Sequence, residues 1–189
     1  MKKLLFTTFA LTIFLLSNVY SQTSKVNVEK SKVHWLGKKI TGQHDGFIKI
    51  SSGSIEFKEG NIRNGEFVMD MNSITCSDLE DENYNKKLVD HLKSDDFFGV
   101  KKFPKAKLVI TKASKFTNDK CSVEGNLTIK GKTELIKFDV NKKKDVYSAV
   151  MKVDRSKYDV RFGSTSFFDS LGNKAIDDIF TLTIDLAVI

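Results

Sequence analysis

Apolar and polar residues alternate along most of the chain, which is the pattern of strands that bury one face and expose the other. In the last segment every second residue is large and apolar, namely Phe180, Leu182, Ile184, Leu186 and Val188. The same alternation recurs around the polar residues His34, Lys49, Glu56, Asp70, Lys107, Lys137 and Lys152. The sequence therefore predicts a protein built mainly from amphipathic β-strands.

Short stretches of turn-forming residues separate these predicted strands. They lie at residues 51–53, 59–61, 118–119, 130–132 and 141–145. Short links between amphipathic strands imply antiparallel pairing, with about eight or nine strands in all. Such strands can form a sandwich or close into a barrel, and alternation alone does not distinguish the two.

The interval between residues 77 and 103 departs from the alternation. Ser77, followed three residues later by Glu80, forms a capping-box signature for the start of a helix. One apolar face of a short helix over residues 82–92 would carry Tyr84, Leu88 and Leu92. A glycine and the only proline then end the helix within residues 97–104. We expect this segment to lie as a lid over something apolar.

Residues 1–21 have the layout of a secretory signal peptide, with two early lysines, an apolar run over residues 4–16 and a small, polar end at Ser21. The apolar run is shorter than the stretch of about 20 residues that crosses a bilayer. We therefore predict a mature domain of residues 22–189 that is periplasmic or secreted. A chain of this length fits a single domain.

The net charge is modest. Without Lys2 and Lys3 the chain has 29 basic and 24 acidic residues, a net charge of +5. The lysines are scattered, and no arginine-rich stripe or aromatic RNA-binding motif accompanies them, so nucleic acid is not an expected partner. A weak, transient attraction to anionic membrane surfaces fits this charge better.

Two cysteines, Cys76 and Cys121, are present in the chain. An exported protein meets an oxidising compartment, so one disulfide could join them. Cys121 could instead be a small apolar residue of a strand. The sequence leaves both alternatives open, as it does the oligomeric state.

Several separated motifs together resemble the YceI-like family of lipocalin-like, polyisoprenoid-binding periplasmic proteins. The resemblance extends over nearly the whole mature chain. The motifs lie at residues 31–37, 67–74, 91–98, 125–133, 154–158 and 176–178. It implies an all-β fold, an extended antiparallel eight-stranded lipocalin-like barrel with a short helical segment near its mouth. It also implies a non-enzymatic carrier that binds a long-chain isoprenoid or similar amphipathic lipid, with no other cofactor.

The resemblance implies that the inward-facing apolar residues line a channel rather than a solid core. By strand parity these residues are Trp35, Phe67, Met69, Leu108, Ile110, Leu127, Ile129, Phe138, Met151, Phe180 and Leu182, with Phe97 and Phe98 near the entrance. The polar mouth would be formed by His91, Lys93, Asp154 and Arg155. Alternatively, Asp154 and Arg155 form a structural pair while His91 and Lys93 are solvated residues at the helix end.

Two other classes of function stay open at this point. An enzyme acting on a lipid-like substrate would use His91 or Asp154 as the acid or base, although no nucleophile elbow is present. A structural or adhesion module would have a solid interior. A metal site would have to be assembled in space from His34, His44 or His91 with Asp45 or Asp90, because no short ligand spacing appears.

Overall fold

Nine antiparallel strands and one α-helix make up residues 21–189, which are the residues that the computed structural model describes. The strands are β1 (Ser21–Lys25), β2 (Lys32–Lys39), β3 (Gly42–Lys58), β4 (Asn61–Asp70), β5 (Lys105–Ala113), β6 (Lys120–Ile129), β7 (Lys132–Lys143), β8 (Val146–Asp154) and β9 (Ile179–Ala187). The helix α1 (Glu82–Lys93) connects β4 to β5.

The strands from β2 to β9 close into an eight-stranded antiparallel barrel. Each pairs with the next along the chain, except that closure comes from pairing of β2 with β9. The short β1 also pairs with β3, beyond the part of β3 that pairs with β2, so that Ser24 lies opposite Ile55. Closure leaves the ring without a free edge, which removes a site of strand-to-strand aggregation. The structure thus confirms the predicted barrel and decides against the sandwich.

Residues 51–53 form no turn, contrary to the sequence-based prediction. They lie within β3, where the pairing register with β4 shifts between Ile50 and Ser52. This β-bulge inserts one extra residue and so reverses the parity, which lets Ile50 and Ile55 both face inward. Gly53 is present because a β-carbon there would lie 2.9 Å from the side chains of both Phe67 and Val26.

The predicted hairpin turns at residues 59–61 and 130–132 are confirmed. Glu59 and Gly60 have φ of 53° and 75°, and Lys130 and Gly131 have φ of 49° and 75°. Two successive positive φ angles are typical of the type I′ turn, whose twist matches that of the flanking strands. The two turns lie at opposite ends of the barrel.

The lid end of the barrel carries α1 and the long connection over residues 155–178. The predicted capping box is wrong in detail, because the side chain of Asp81 caps the helix at Asn83 and Tyr84. Ser77 instead donates its backbone N–H to the carbonyl oxygen of Asp45, at 2.8 Å. Tyr84 is also not on the buried face, since 63% of it is exposed.

The strap, residues 71–78, joins β4 to the region of α1 and lies along the beginning of β3. Thr75 N donates to Phe47 O at 3.0 Å, and the indole nitrogen of Trp35 donates to Thr75 O at 3.0 Å. The strap therefore closes the wall of the barrel where β4 has already ended. This arrangement positions the beginning of the lid.

The predicted signal peptide lies outside the described residues except for Ser21, which begins β1 opposite Lys58. Its cleavage and the predicted domain boundary stay predictions. Over residues 21–189, no helix has the length and apolar character needed to cross a membrane. Cys76 and Cys121 are both buried and not bonded to each other.

Candidate ligand-binding cavity

The barrel interior contains an apolar cavity of about 140 Å³. All strands from β2 to β9 contribute side chains to its wall, together with Leu92 of α1. The charged residues in its lining, Arg155 and Asp177, both belong to the connection at the lid end. Asp177 is exposed, whereas the other lining residues are buried or half-buried.

All of the residues that the sequence assigned to the channel lie in this lining. They are Trp35, Phe67, Met69, Phe97, Phe98, Leu108, Ile110, Leu127, Ile129, Phe138, Met151, Phe180 and Leu182. Their contact with a ligand stays a prediction. The lining also includes residues that the sequence analysis did not select, such as Ile50, Ile62 and Ala149. Strand parity could have identified Ala149, which shares the inward parity of Met151.

The lid end of the cavity is aromatic. The rings of Phe97 and Phe98 meet edge to face with centroids 5.0 Å apart, and Phe98 also meets Phe180 at 6.5 Å. Edge-to-face contacts of this kind stabilise a packed cluster beyond simple burial. The turn after α1 therefore places the Phe97 and Phe98 rings between the lid and the barrel interior.

Arg155 braces the connection at the lid end from within. Its guanidinium group donates to the carbonyl oxygens of Val160 at 2.8 Å, Phe162 at 2.9 Å, Ile176 at 2.9 Å and Asp177 at 3.0 Å. Only 2% of the residue is exposed. Burial lowers the pKa of Arg155, while nearby carboxylates counteract that effect. Four of its five N–H donors bond main-chain carbonyls, which leaves Arg155 little capacity to hydrogen-bond a head group.

The structural pair between Asp154 and Arg155, which the sequence offered as an alternative to a polar mouth, is not formed. Asp154 instead accepts hydrogen bonds from the backbone N–H and the hydroxyl of Ser156, at 3.0 and 2.6 Å, and caps a short 3₁₀ turn. The carboxylate that faces Arg155 belongs to Asp178, with Oδ1 3.3 Å from Nη2 and outside hydrogen-bond geometry. Asp154, the neighbour of Arg155 in sequence, thus caps a turn. Arg155 forms its ion pair with Asp178, at the far end of the connection.

His91 lies at the lid end but not in the cavity wall. Its ring meets Phe162 with centroids 4.4 Å apart and Phe97 at 5.8 Å, and Nε2 is buried without a hydrogen-bond partner among residues 21–189. Lys93 is half-buried in the last turn of α1. The structure therefore brings His91 and Arg155 to the same ring, Phe97, but does not group the four predicted mouth residues into one polar site.

One of the histidine–carboxylate combinations considered for a metal site, His34 with Asp45, forms a pair within residues 21–189, whereas Asp90 does not pair with a histidine. His34 Nε2 lies 2.7 Å from Asp45 Oδ2, and Asp90 pairs with Lys86 instead of a histidine. A group that the sequence did not predict lies where the strap meets β3: His44 of β3 and Cys76 and Asp78 of the strap bring potential ligand atoms within 4.8 Å of one another. Their wide separation in sequence gave no spacing signal.

Asp78 is the centre of that group. His44 Nδ1 lies 2.9 Å from Asp78 Oδ2, and the thiol of Cys76 donates to Oδ1 at 3.1 Å. Partial burial pushes the pKa of Asp78 upward, but hydrogen bonds from the Asp45 amide, the Cys76 thiol and the His44 ring lower it to about 2. Burial, with the hydrogen bond to Asp78, raises the pKa of the Cys76 thiol.

Comparison with known proteins places this architecture among solved structures. BcnA from Burkholderia cenocepacia is 26% identical, with 87% of this chain and 99% of that chain covered at a TM-score of 0.67. A polyisoprenoid-binding domain from Saccharophagus degradans, implicated in plant cell wall breakdown, is 10% identical, with coverage of 87% and 97% and a TM-score of 0.59.

The YceI protein of Campylobacter jejuni is 21% identical, and the alignment covers 100% of this chain and 99% of that chain at a TM-score of 0.53. A search among curated proteins found no match. The model of the YceI-like domain matches residues 21–188, which is almost the entire described chain. The chain therefore belongs to the YceI-like family.

Proposed function

We propose that this protein is a carrier that encloses a long-chain isoprenoid or similar amphipathic lipid within its barrel and moves or protects it in water. The observation that carries the proposal is the wall of the cavity, which is apolar on all eight strands of the ring. The domain from Saccharophagus degradans, which binds polyisoprenoid, has the same fold and supports this ligand class.

The size of the cavity sets a condition on this proposal. A cavity of about 150 Å³ lined by apolar side chains stays dry and accepts a molecule of the size of benzene. The cavity of about 140 Å³ therefore accommodates about one isoprene unit without rearrangement. A longer chain has to displace side chains of the wall. Met69 and Met151 suit this role, since methionine is unbranched and adapts to irregular spaces.

Lipid enters and leaves at the lid end in this proposal. The exposed apolar residues there include Ile40, Phe162, Phe167 and Phe168. Ile40 follows Lys38 and Lys39, and the guanidinium of Arg161 lies 4.8 Å from the ring of Phe167. Aromatic rings beside basic groups favour transient contact with an anionic membrane surface. Export to the periplasm or outside the cell, through the predicted signal peptide, would place the carrier in contact with such a surface.

The head group of the lipid would remain near the lid rather than deep in the barrel. His91 is the candidate to contact it, because Nε2 is buried at this end without a partner among the described residues. Burying a polar atom without a partner costs free energy, which a hydrogen bond from the head group would recover. The His91 ring packs against Phe97 and Phe162, and its Nε2 has no partner within residues 21–189.

Organic extraction of the natively purified protein tests the proposal. We expect mass spectrometry to find an isoprenoid or related long-chain lipid in near-stoichiometric amount. In Ala149→Phe, a larger side chain would fill the cavity and reduce the recovered lipid. The matched control is Val150→Phe on the same strand, where 61% of the native residue is exposed and faces outward.

Circular dichroism would verify that both variants fold, because added volume in a packed interior costs about 1 to 3 kcal/mol. A wild-type protein that releases no lipid and takes up none from vesicles would contradict the carrier proposal. Equal lipid content in the two folded variants would contradict the location in the barrel.

A further inference from the structure

The strap holds a group of three different potential metal ligands against β3. His44 comes from β3, whereas Cys76 and Asp78 come from the strap, and their ligand atoms lie within 4.8 Å of one another. Cys76 is 9% exposed, while His44 and Asp78 are partly accessible. Access from solvent on one side and burial on the other are suitable for a site that admits an ion.

The donor set fits Zn²⁺. This ion binds imidazole nitrogen, thiolate sulfur and carboxylate oxygen, in most cases with four ligands in a tetrahedron. Bond lengths of about 2.0 to 2.3 Å place tetrahedral ligand atoms roughly 3.3 to 3.7 Å apart. His44 Nδ1 lies 2.9 Å from Asp78 Oδ2 and Cys76 Sγ lies 3.1 Å from the other carboxylate oxygen, Oδ1, while one ligand atom from each residue lies within 4.8 Å of the other two. Small side-chain rotations would make room for the ion, and water would complete the tetrahedron.

Outer contacts already orient the proposed ligands. The backbone N–H of Asp45 donates to Asp78 Oδ1 at 3.1 Å, and the side-chain amide of Asn85 donates to Cys76 O at 3.0 Å. Such contacts restrict the orientation of the ligands and are a regular part of metal sites. The strap is held in turn by Ser77 N, which donates to Asp45 O.

We propose that His44, Cys76 and Asp78 bind one Zn²⁺ ion, which fastens the strap to β3. Cys76 would bind as thiolate and release its proton to solvent, and the ion would replace the hydrogen bonds that now join the three side chains. The site is separate from the cavity, but Ile74 on the same strap lines the cavity wall. Metal binding would therefore rigidify the entrance side of the barrel.

Calorimetric titration of chelator-treated protein with ZnCl₂ tests the site. We expect one ion per chain, and binding at least about tenfold weaker in Cys76→Ser and in Asp78→Asn. The matched control is Cys121→Ser, which replaces the other buried cysteine on β6 and should bind Zn²⁺ as the wild type does. With Co²⁺ as the probe, wild type and Cys121→Ser should show thiolate-to-metal absorption that Cys76→Ser lacks.

Hydrogen exchange tests the fastening role. The amides of Thr75 and Ser77 donate to Phe47 O and Asp45 O, so Zn²⁺ should slow their exchange. Absence of stoichiometric binding to the folded wild type would overturn the site, as would equal affinity in wild type and Cys76→Ser. Binding without slower exchange at these amides would overturn the fastening role.

Discussion

Gly46 lies in direct backbone contact with Thr75, so closely that a β-carbon at position 46 would stand 1.9 Å from the carbonyl oxygen of Thr75. That same oxygen accepts the hydrogen bond from the indole of Trp35. The strap can therefore dock on β3 only because residue 46 has no side chain. A single glycine thus determines how the barrel wall is completed beside the lid.

Gly46→Ala should displace the strap. A methyl group cannot be placed 1.9 Å from an oxygen, so the strap must move and Trp35 loses its hydrogen bond. We expect a loss of about 1 to 3 kcal/mol in the free energy of unfolding. Trp35 is the only tryptophan, so its fluorescence should shift toward that of a solvated indole.

The control for this substitution is Gly37→Ala on the adjacent strand, where the nearest atom to the new β-carbon would be Cζ3 of Trp35, 3.8 Å away. This is an ordinary contact distance, so the Trp35 spectrum should change little. If both alanine variants had the wild-type emission and stability, docking of the strap on Gly46 would be disproved.

Tyr158 should make the protein less stable at high pH. Burial, with the charges of Glu134 and Asp154, raises the pKa of Tyr158 to about 12. An unfolded tyrosine ionises near pH 10, so the unfolded state loses its proton first as pH rises. The stability from the neutral phenol is therefore fully present below pH 10 and is lost as pH rises toward 12, by about 2 to 3 kcal/mol.

Tyr158→Phe is the matched comparison for this alkaline effect. The hydroxyl is buried and has no hydrogen-bond partner among residues 21–189. Removing an unpartnered polar group should leave the variant at least as stable as the wild type at pH 7. Urea unfolding at several pH values between 7 and 11 should show a steeper decline in wild type. Parallel declines in both proteins would refute the role of this residue.

Arg155→Lys should loosen the connection at the lid end although the charge is retained. A lysine cannot reproduce the planar set of donors that contacts four main-chain carbonyls in the native protein. We expect a loss of about 2 to 5 kcal/mol in unfolding free energy. Faster hydrogen exchange of the Ile176 amide, which donates to Gly163 O, would localise the effect.

The corresponding control is Arg161→Lys, at an exposed arginine in the same connection that pairs with Asp159. Exposed ion pairs contribute about 0 to 1 kcal/mol, so this change should be nearly neutral. An equal effect of the two substitutions would count against Arg155 as the internal brace.

The sequence predicted most of the strands because alternation depends on the local contrast between buried and exposed faces. It did not predict the bulge near Ser52, since one extra residue reverses parity without changing composition. Tyr84 showed a similar limit. Its spacing from Leu88 fits a helix face, but the first turn of α1 extends beyond the surface that the helix covers.

The polar contacts were less accessible to sequence analysis. Asp178 faces Arg155 across a long connection, and the His44, Cys76 and Asp78 group forms only when the strap lies along β3. Such contacts depend on tertiary placement rather than on periodicity. The channel residues were easier, because strand parity alone assigns a side chain to the interior.

Fluorescence titration of Trp35 with isoprenoid alcohols of increasing length tests the enclosed-chain account most directly, because Trp35 lines the cavity. Each buried CH₂ contributes about 0.8 kcal/mol, so one more isoprene unit should tighten binding by at least about tenfold even after the wall rearranges. We predict saturable binding whose affinity rises from ten to twenty carbons, by at least about tenfold for each added isoprene unit. Affinity independent of chain length, or no saturable signal at any length, would contradict an isoprenoid enclosed in the barrel.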